Sequence, residues 1–330
     1  MCFNFEAIPP KGTAMKAIRF HQYGDIEVLR YEDVEIPRPG AGQVRVRVAG
    51  TTFNGVDGNI RAGFMQGPMP LTLPHTPGLD VAGTVDALGD DVSGLQVGDR
   101  VVGFLPFVVD GASADYVLAP AEGLTSAPTS IPLADAAALP VVGLTAWQAL
   151  FEHADLRSGQ RILINGASGA VGGYAVQLAK AAGAHVIATG GAGSSERLRA
   201  RGADEVVDHT TTDVSAAVTE PVDVLLNLAP IAPEQFATLS TLVADGGVVV
   251  NTTVWMPAPS DKERGVRGID LYVRSDAQQL AQLVARVDRG ELVVDVAEQV
   301  ALADLASVHA RAAAGTLTGK VVVVPAGDQR

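Results

Sequence analysis

Cysteine is almost absent: Cys2 is the one thiol among 330 residues. A single thiol can form neither an intrachain disulfide nor a thiolate metal cluster, so the fold must rest on its core. Aromatic residues make up 5%, and basic ones are outnumbered, 24 Lys and Arg against 37 Asp and Glu, for a net charge of −13. So acidic a chain lacks the basic footprint needed to bind nucleic acid or an anionic membrane surface. Long apolar runs are missing as well. The longest weakly polar stretch, Ala136 to Phe151, is broken by Pro140, Gly143, Thr145 and Gln148 and falls short of the ~20 residues of a spanning helix. Residues 1–14 have no basic segment leading into an apolar one. They read as an extension or upstream start, not a secretory signal, and a soluble cytoplasmic protein is expected.

What is present is an apolar, glycine-rich chain, 47% hydrophobic with 36 Gly, of a length that predicts about two domains. Up to about residue 135 the pattern is short strands and turns. Val44-Arg45-Val46-Arg47-Val48 alternates with period two, and Asp80–Val85 and Arg100–Phe104 are bounded by Gly and Asp. Residues Arg61–Pro77 read as an irregular loop. A helix is expected over Leu133–Phe151, and from there apolar strands alternate with helices. The strands are Arg161–Asn165, His185–Thr189, Glu205–Val207, Asp223–Leu226 and Gly246–Asn251. That rhythm predicts a parallel, doubly wound α/β sheet. The remainder, with helix Ala277–Arg289, the segment Glu291–Ala297, helix Leu302–Ala314 and strand Lys320–Pro325, changes rhythm again.

The most informative stretch is ILINGASGAVGGYAVQLAK, Ile162 to Lys180. A strand runs into Gly166, Gly169 and Gly172, and a helix starts within the turn. Glycines permit the tight turn and let backbone amides approach a pyrophosphate, which the helix N-terminus attracts. Enzymes that bind NAD usually place an acid at the end of the second strand. Here that strand ends Ala188-Thr189-Gly190-Gly191, followed by Ser194, Ser195, Arg197 and Arg199. Hydroxyl and guanidinium groups suit a 2′-phosphate, so NADP(H) is the expected cofactor, with Thr189, Gly190, Ser194 and Arg197 among its contacts.

With these residues in view the chain, from about Met15 to Pro325, resembles the zinc-independent branch of the medium-chain dehydrogenase/reductase superfamily, the quinone oxidoreductase-like enzymes. The resemblance is carried by Asn54-Gly55-Val56-Asp57 with Arg61 and Gly63, and by Pro77-Gly78-Leu79-Asp80-Val81-Ala82-Gly83. Val97-Gly98-Asp99-Arg100-Val101, Gly143-Leu144-Thr145-Ala146, Gly202-Ala203-Asp204 and Gly319-Lys320-Val321-Val322 follow in the family's order. It implies a Rossmann doubly wound parallel sheet inserted into a GroES-like β domain. The expected divisions are 1–136 (with 1–14 an extension), 137–276 for the Rossmann part and 277–330 for the return. It also implies that Asn54 and Thr145 lie by the nicotinamide, that Ser168, Gly169, Ala170 and Val171 line the pyrophosphate, and that Ser194 and His209 approach the 2′-phosphate. Thr252 and Thr253 would edge the nicotinamide, and a homodimer would join sheet edges through Val248–Thr252 and Leu271–Arg274.

Departures from the family pattern narrow the chemistry. Leu79-Asp80 stands where zinc-dependent members have His-Glu, and the six histidines show no ligand spacing with one another, so each reads as a surface or loop residue and no metal is expected. Asp57 reads as structural, with Arg61 its partner. Phe64 and Met65 follow the Arg-x-Gly element where enoyl-thioester reductases carry a Tyr; Tyr116 and Tyr272 are the remaining candidate acids, each more simply read as a half-buried core residue. The apolar loop Phe64–Leu73, with Phe64 and Met65 foremost, suits a hydrophobic substrate. The expected reaction is metal-free hydride transfer from NADPH to a quinone or an α,β-unsaturated carbonyl, Asn54 being the candidate orienting residue. Reduction of a 2-enoyl thioester, or a non-catalytic NADPH sensor, are the alternatives.

Overall fold

The computed structural model describes residues 14–253 and 255–326. Cys2 and residues 1–13 of the expected extension lie outside them, while Ala14 already opens the first strand. The chain divides into two units, Met1–Val141 with Ser275–Arg330, and Val142–Arg274.

In the first unit β1 (Ala14–Phe20) pairs antiparallel with β2 (Leu29–Glu35). The alternation read at Val44 to Val48 becomes β3 (Gln43–Thr52), which buries its valines and turns Arg45 and Arg47 away from the core. Helix α1 (Gly55–Ala62) follows, so the expected loop begins only after residue 62; Gly63, left-handed at φ 87°, closes it. Strands β4 (Asp80–Leu88), β5 (Arg100–Phe104), β6 (Tyr116–Pro120) and β7 (Leu124–Ser126) complete this stretch. The helix expected over Leu133–Phe151 is three pieces: a tight turn at Ala134–Ala138, α2 (Pro140–Trp147) and a π-helical turn at Gln148–His153. Pro140 lacks an N–H and can only begin a helix, which separates the first piece from the second.

In the second unit β8 (Arg161–Asn165), α3 (Ala170–Ala181), β9 (His185–Gly190), α4 (Ser195–Ala200) and β10 (Glu205–Asp208) follow in order. Then come α5 (Val214–Ala217), β11 (Val222–Asn227), α6 (Pro233–Ser240), β12 (Val243–Asn251) and β13 (Arg267–Asp270). The six strands form one parallel sheet in the order β10-β9-β8-β11-β12-β13. Leu163, Ile187, Leu225 and Val249 sit in its core against Phe236 and Leu239 of α6. The order reverses between β8 and β11, the place where such sheets open a crevice at their strand ends. The outer strand is Arg267–Asp270; the segment Leu271–Arg274, expected as sheet edge, is not a strand.

The return to the first unit is α7 (Ala277–Asp288), β14 (Glu298–Ala301), α8 (Leu305–Ala313) and β15 (Val321–Val324). Gly290, at φ 71°, turns the chain out of α7, and pairing with β15 begins at Glu298, after the segment Glu291–Ala297. The sheet order β14-β15-β3-β4-β5-β7, with β6 also on β3, joins both ends of the chain. No helix among the described residues is long and apolar enough to cross a membrane.

Candidate functional site

In the second unit, the glycine turn leaves β8 at the switch point. Gly166 has φ 84°, and a Cβ there would press on Ala229 at 3.1 Å, so only glycine fits without strain. A Cβ on Gly172 would overlap the backbone of Ala167, which sets how closely α3 packs on the turn. The turn is closed by the Gly169 amide donating to the Gly166 carbonyl at 3.1 Å. Gly169 is the N-cap of α3 and no side chain caps it; the first helical amides therefore keep their donor capacity for an anion. Ser168, Ala170 and Val171 are half-buried around them and Gly169 is exposed. These are the features a dinucleotide pyrophosphate demands, and the residues fit that group.

The neighbouring strand ends complete the picture. Thr189 is fully buried; its hydroxyl accepts from the Gly166 amide at 2.9 Å and donates to Asn165 Oδ1 at 3.0 Å. It thus clamps the turn from behind. Gly190 lies so close to Ser194 that a Cβ on it would overlap the Ser194 hydroxyl. That hydroxyl donates to the Gly191 carbonyl at 2.7 Å. Arg197, exposed, donates through Nη2 to the Ser168 carbonyl at 2.8 Å, fixing a guanidinium beside the turn. The His209 amide donates to the Gly190 carbonyl at 3.2 Å, and its exposed side chain lies at the edge of this group. Nearby, Asp208 faces Gly190 in register but is turned onto Thr210. It accepts from that residue's hydroxyl and amide, and these bonds lower its pKa. Thr252 and Thr253 follow β12, tied to the Asn227 carbonyl and to Asn251. Thr145 is buried in α2. The folding of this unit therefore brings Ser168 to Val171, Thr189, Gly190, Ser194, Arg197 and His209 into one neighbourhood.

The first unit holds a buried polar cluster of its own. Asp80, with no exposed surface, accepts from the Thr52 hydroxyl, from Asn54 Nδ2 at 2.9 Å, from the Val141 amide at 2.7 Å and from Lys320 Nζ at 3.3 Å. Lys320 is 4% exposed and also donates to Asn54 Oδ1 at 2.6 Å and the Phe53 carbonyl at 3.3 Å. Both ends of the Asn54 amide are therefore oriented by this ion pair. Asp57 accepts from the Asn54 amide at 2.7 Å and the Gly78 amide at 3.3 Å. Burial pushes its carboxyl up to about 7, an effect the two amides and Lys320 oppose and Asp80 reinforces. Arg61, expected from the sequence to be its partner, is engaged elsewhere. The guanidinium donates to the Gly24 carbonyl at 2.7 Å and meets Asp25 at 3.8 Å.

Other expected residues separate. Met65 is core, packed with Phe20, Val28 and Ile60, whereas Phe64 is 66% exposed. Tyr116 is half-buried and lines a cavity of about 440 Å3 that none of the expected site residues reaches. Tyr272 is 68% exposed and not a core residue. Two histidines read as surface groups are buried: His75 against Phe20, and His309 on α8 at 2% exposure. Sequence reasoning also missed Lys320, Asp80 and the asparagines ending β8, β11 and β12. The last had a visible signal, three apolar strands each closing on Asn.

Two family models match this chain, one described as alcohol dehydrogenase GroES-like domain over residues 40–129 and one as zinc-binding dehydrogenase over residues 201–323. The chain is 33% identical to a chloroplast envelope quinone oxidoreductase homolog of Arabidopsis thaliana over 330 residues, 95% of this chain and 99% of that one. It is 32% identical to the quinone oxidoreductase of Mus musculus, covering 94% and 98% respectively. The solved structure of the quinone oxidoreductase from Coxiella burnetii superposes with a TM-score of 0.86 at 27% identity, over 94% of this chain and 99% of that one.

Proposed function

We propose, for a chain that belongs to the zinc-independent, quinone oxidoreductase-like medium-chain dehydrogenase/reductases, hydride transfer from NADPH to a quinone or an α,β-unsaturated carbonyl. Membership makes the chain an oxidoreductase of a family that binds a nicotinamide cofactor; the choice of NADPH and of acceptor is our reading. The observation that carries it is the end of β9. An acid is missing from Thr189-Gly190-Gly191, Asp208 is engaged by Thr210, and Arg197 is held beside the turn. A carboxylate would repel a 2′-phosphate, while a guanidinium forks onto its oxygens.

Ser168, Gly169, Ala170 and Val171 would hold the pyrophosphate, and Gly190, Ser194, Arg197 and His209 the 2′-phosphate end. Thr145, Thr252 and Thr253 would be further cofactor contacts, with Thr189 acting from behind the turn. Bound NADPH supplies the hydride. Conjugated acceptors are electron-poor, so the chain's task is to bind, orient and exclude water. Asn54 would steer the reacting carbonyl: Asp80 takes one amide proton at 2.9 Å, Lys320 fixes the oxygen at 2.6 Å, and the second amide proton can face a developing oxyanion. Water would supply the final proton.

Zinc does not fit the first unit's cluster. Lys320 already sets a cation between Asn54 Oδ1 and Asp80, Leu79 is apolar and buried, and no group of three His, Cys, Asp or Glu among the described residues could hold a metal. The test is titration of the purified chain with NADPH and NADH, then turnover with a quinone, a simple enone and a crotonyl thioester. NADPH should bind more tightly, and Arg197→Ala should weaken NADPH about tenfold while leaving NADH unchanged. Equal affinities, or turnover of the thioester alone, would sink the reading.

A further inference from the structure

Across the carboxyl ends of five strands of the second unit runs a single line of side chains in register: Thr189, Asn165, Asn227, Asn251 and Asp270. The Gly166 amide donates to Thr189 Oγ1, which donates to Asn165 Oδ1. Asn165 Nδ2 donates to Asn227 Oδ1 at 2.8 Å, and Asn227 Nδ2 to Asn251 Oδ1 at 3.0 Å. Asn251 Nδ2 donates to Asp270 Oδ1 at 3.1 Å. Every bond points the same way. The two ends enforce it, since a peptide N–H can only donate and an ionised carboxylate can only accept. Bonds aligned head to tail polarise and strengthen one another in a dry interior, and Thr189, Asn227 and Asn251 are at most 1% exposed.

The line does more than satisfy polar groups. Asn251 also donates to the carbonyls of Thr253 and Met256, both at 2.8 Å, and accepts from the Thr253 hydroxyl at 2.7 Å and amide at 3.2 Å. Turning its amide over would face oxygen against the two carbonyls and N–H against the Thr253 amide. The placement of Thr253 and Met256 is therefore linked to the orientation of one amide. That amide is linked through Asn227 and Asn165 to the hydroxyl that clamps the glycine turn. The Asn227 carbonyl adds a second tie, accepting from the Thr252 amide at 3.1 Å.

We propose that Asn227 is a positioning residue that makes the glycine turn and the loop after β12 a single rigid grip on the dinucleotide. The inference rests on the reading that these two segments hold the cofactor. Thr189 and Asn251 are three strand spacings apart, roughly 14 Å. Perturbations that far apart with no shared partner are ordinarily independent.

Hydrogen exchange on the chain without nucleotide, read by peptides covering 163–175 and 250–260, tests the coupling directly. Thr189→Val should speed exchange in 250–260 as well as in its own turn, and Asn227→Leu should speed both. Asn227→Asp keeps the side chain's shape and still accepts from Asn165 but, in its ionised form, cannot donate to Asn251. It should loosen 250–260 and leave 163–175 near wild type. That one-sided response is a signature that general destabilisation does not give, and it remains available if Asn227→Leu fails to fold. Asn227→Leu should also weaken NADPH binding, measured by fluorescence, about tenfold, raising KM for NADPH with little change in kcat. If Thr189→Val leaves 250–260 unchanged, if Asn227→Leu speeds only one of the two peptides, or if Asn227→Asp loosens both equally, the proposal is overturned. A wild-type chain that binds neither nucleotide would instead overturn the cofactor reading, while the exchange pattern still decides the coupling.

Discussion

His309 makes the chain sensitive to acid in a way that one substitution should remove. It sits on α8 at 2% exposure, its ring edge-on to Phe53 with centroids 4.6 Å apart, and neither ring nitrogen has a partner among the described residues. Burial, reinforced by Arg61, pushes its pKa down from 6.5 to about 3. The folded state thus refuses a proton that the unfolded state accepts. The stability this group contributes is complete above pH 6.5 and is lost as pH falls toward 3. Each pH unit in that window costs about 1.4 kcal/mol, so at pH 4.5 the loss is about 3 kcal/mol, a large part of a typical domain's margin. His309→Phe keeps the ring against Phe53 and removes both nitrogens. At pH 7.5 it should gain ~1 kcal/mol or more by deleting unpaired polar atoms, and the gap over wild type should widen by about 3 kcal/mol at pH 4.5. Urea unfolding of both proteins at pH 4.5, 5.5 and 7.5 measures this. Parallel losses of stability on acidification would refute the reasoning.

Asp57 should act in the opposite sense. Its folded pKa of about 7 lies above the ordinary 3.8, so the stability it contributes is lost as pH rises through that window. Asp57→Asn should therefore gain on wild type between pH 5 and 8, by up to about 3 kcal/mol, in the same denaturation assay; a constant difference would exclude a buried proton there. Lys320→Met strands the Asp80 carboxylate, which has no exposed surface, and should cost about 3–5 kcal/mol, with Asp80→Asn in the same chain recovering part of it. Thermal melts of the single and double variants would contradict the pairing if the two losses simply added.

How far the sequence could carry these conclusions depended on the range of each interaction. The order of strands and helices from Arg161 to Asn251 was legible because periodicity and glycine chemistry act over a few residues. Gly166, Gly169 and Gly172 could be placed at a helix N-terminus for the same reason. The partner of Asp57 was misread, since the family pattern suggested Arg61 while the actual donors are backbone amides, one of them at Gly78. Lys320 and Asn54 meet across 266 positions of chain, and no local pattern announces that contact. His309 was closer to legible. It lies four residues after Leu305 and next to Val308, both buried, and the helical period alone puts it on Leu305's face. The asparagine line needed strand register, which periodicity does not fix.

The pairing of β15 with β3 sets the order in which the molecule can be made. During synthesis β3 leaves the ribosome early, yet β14 and β15, which extend its sheet, follow only after the whole of Val142–Arg274 has emerged. The interrupted unit must wait, its Asp80 without the Lys320 ammonium, while the continuous unit already has every strand of its own sheet to hand. Domains tend to fold as units when their chain is complete, so the inserted unit should be the first to become native on the ribosome. A nascent chain arrested before Val321 would then carry a finished parallel sheet and an unfinished sheet of the first unit, which is the species that chaperones would meet.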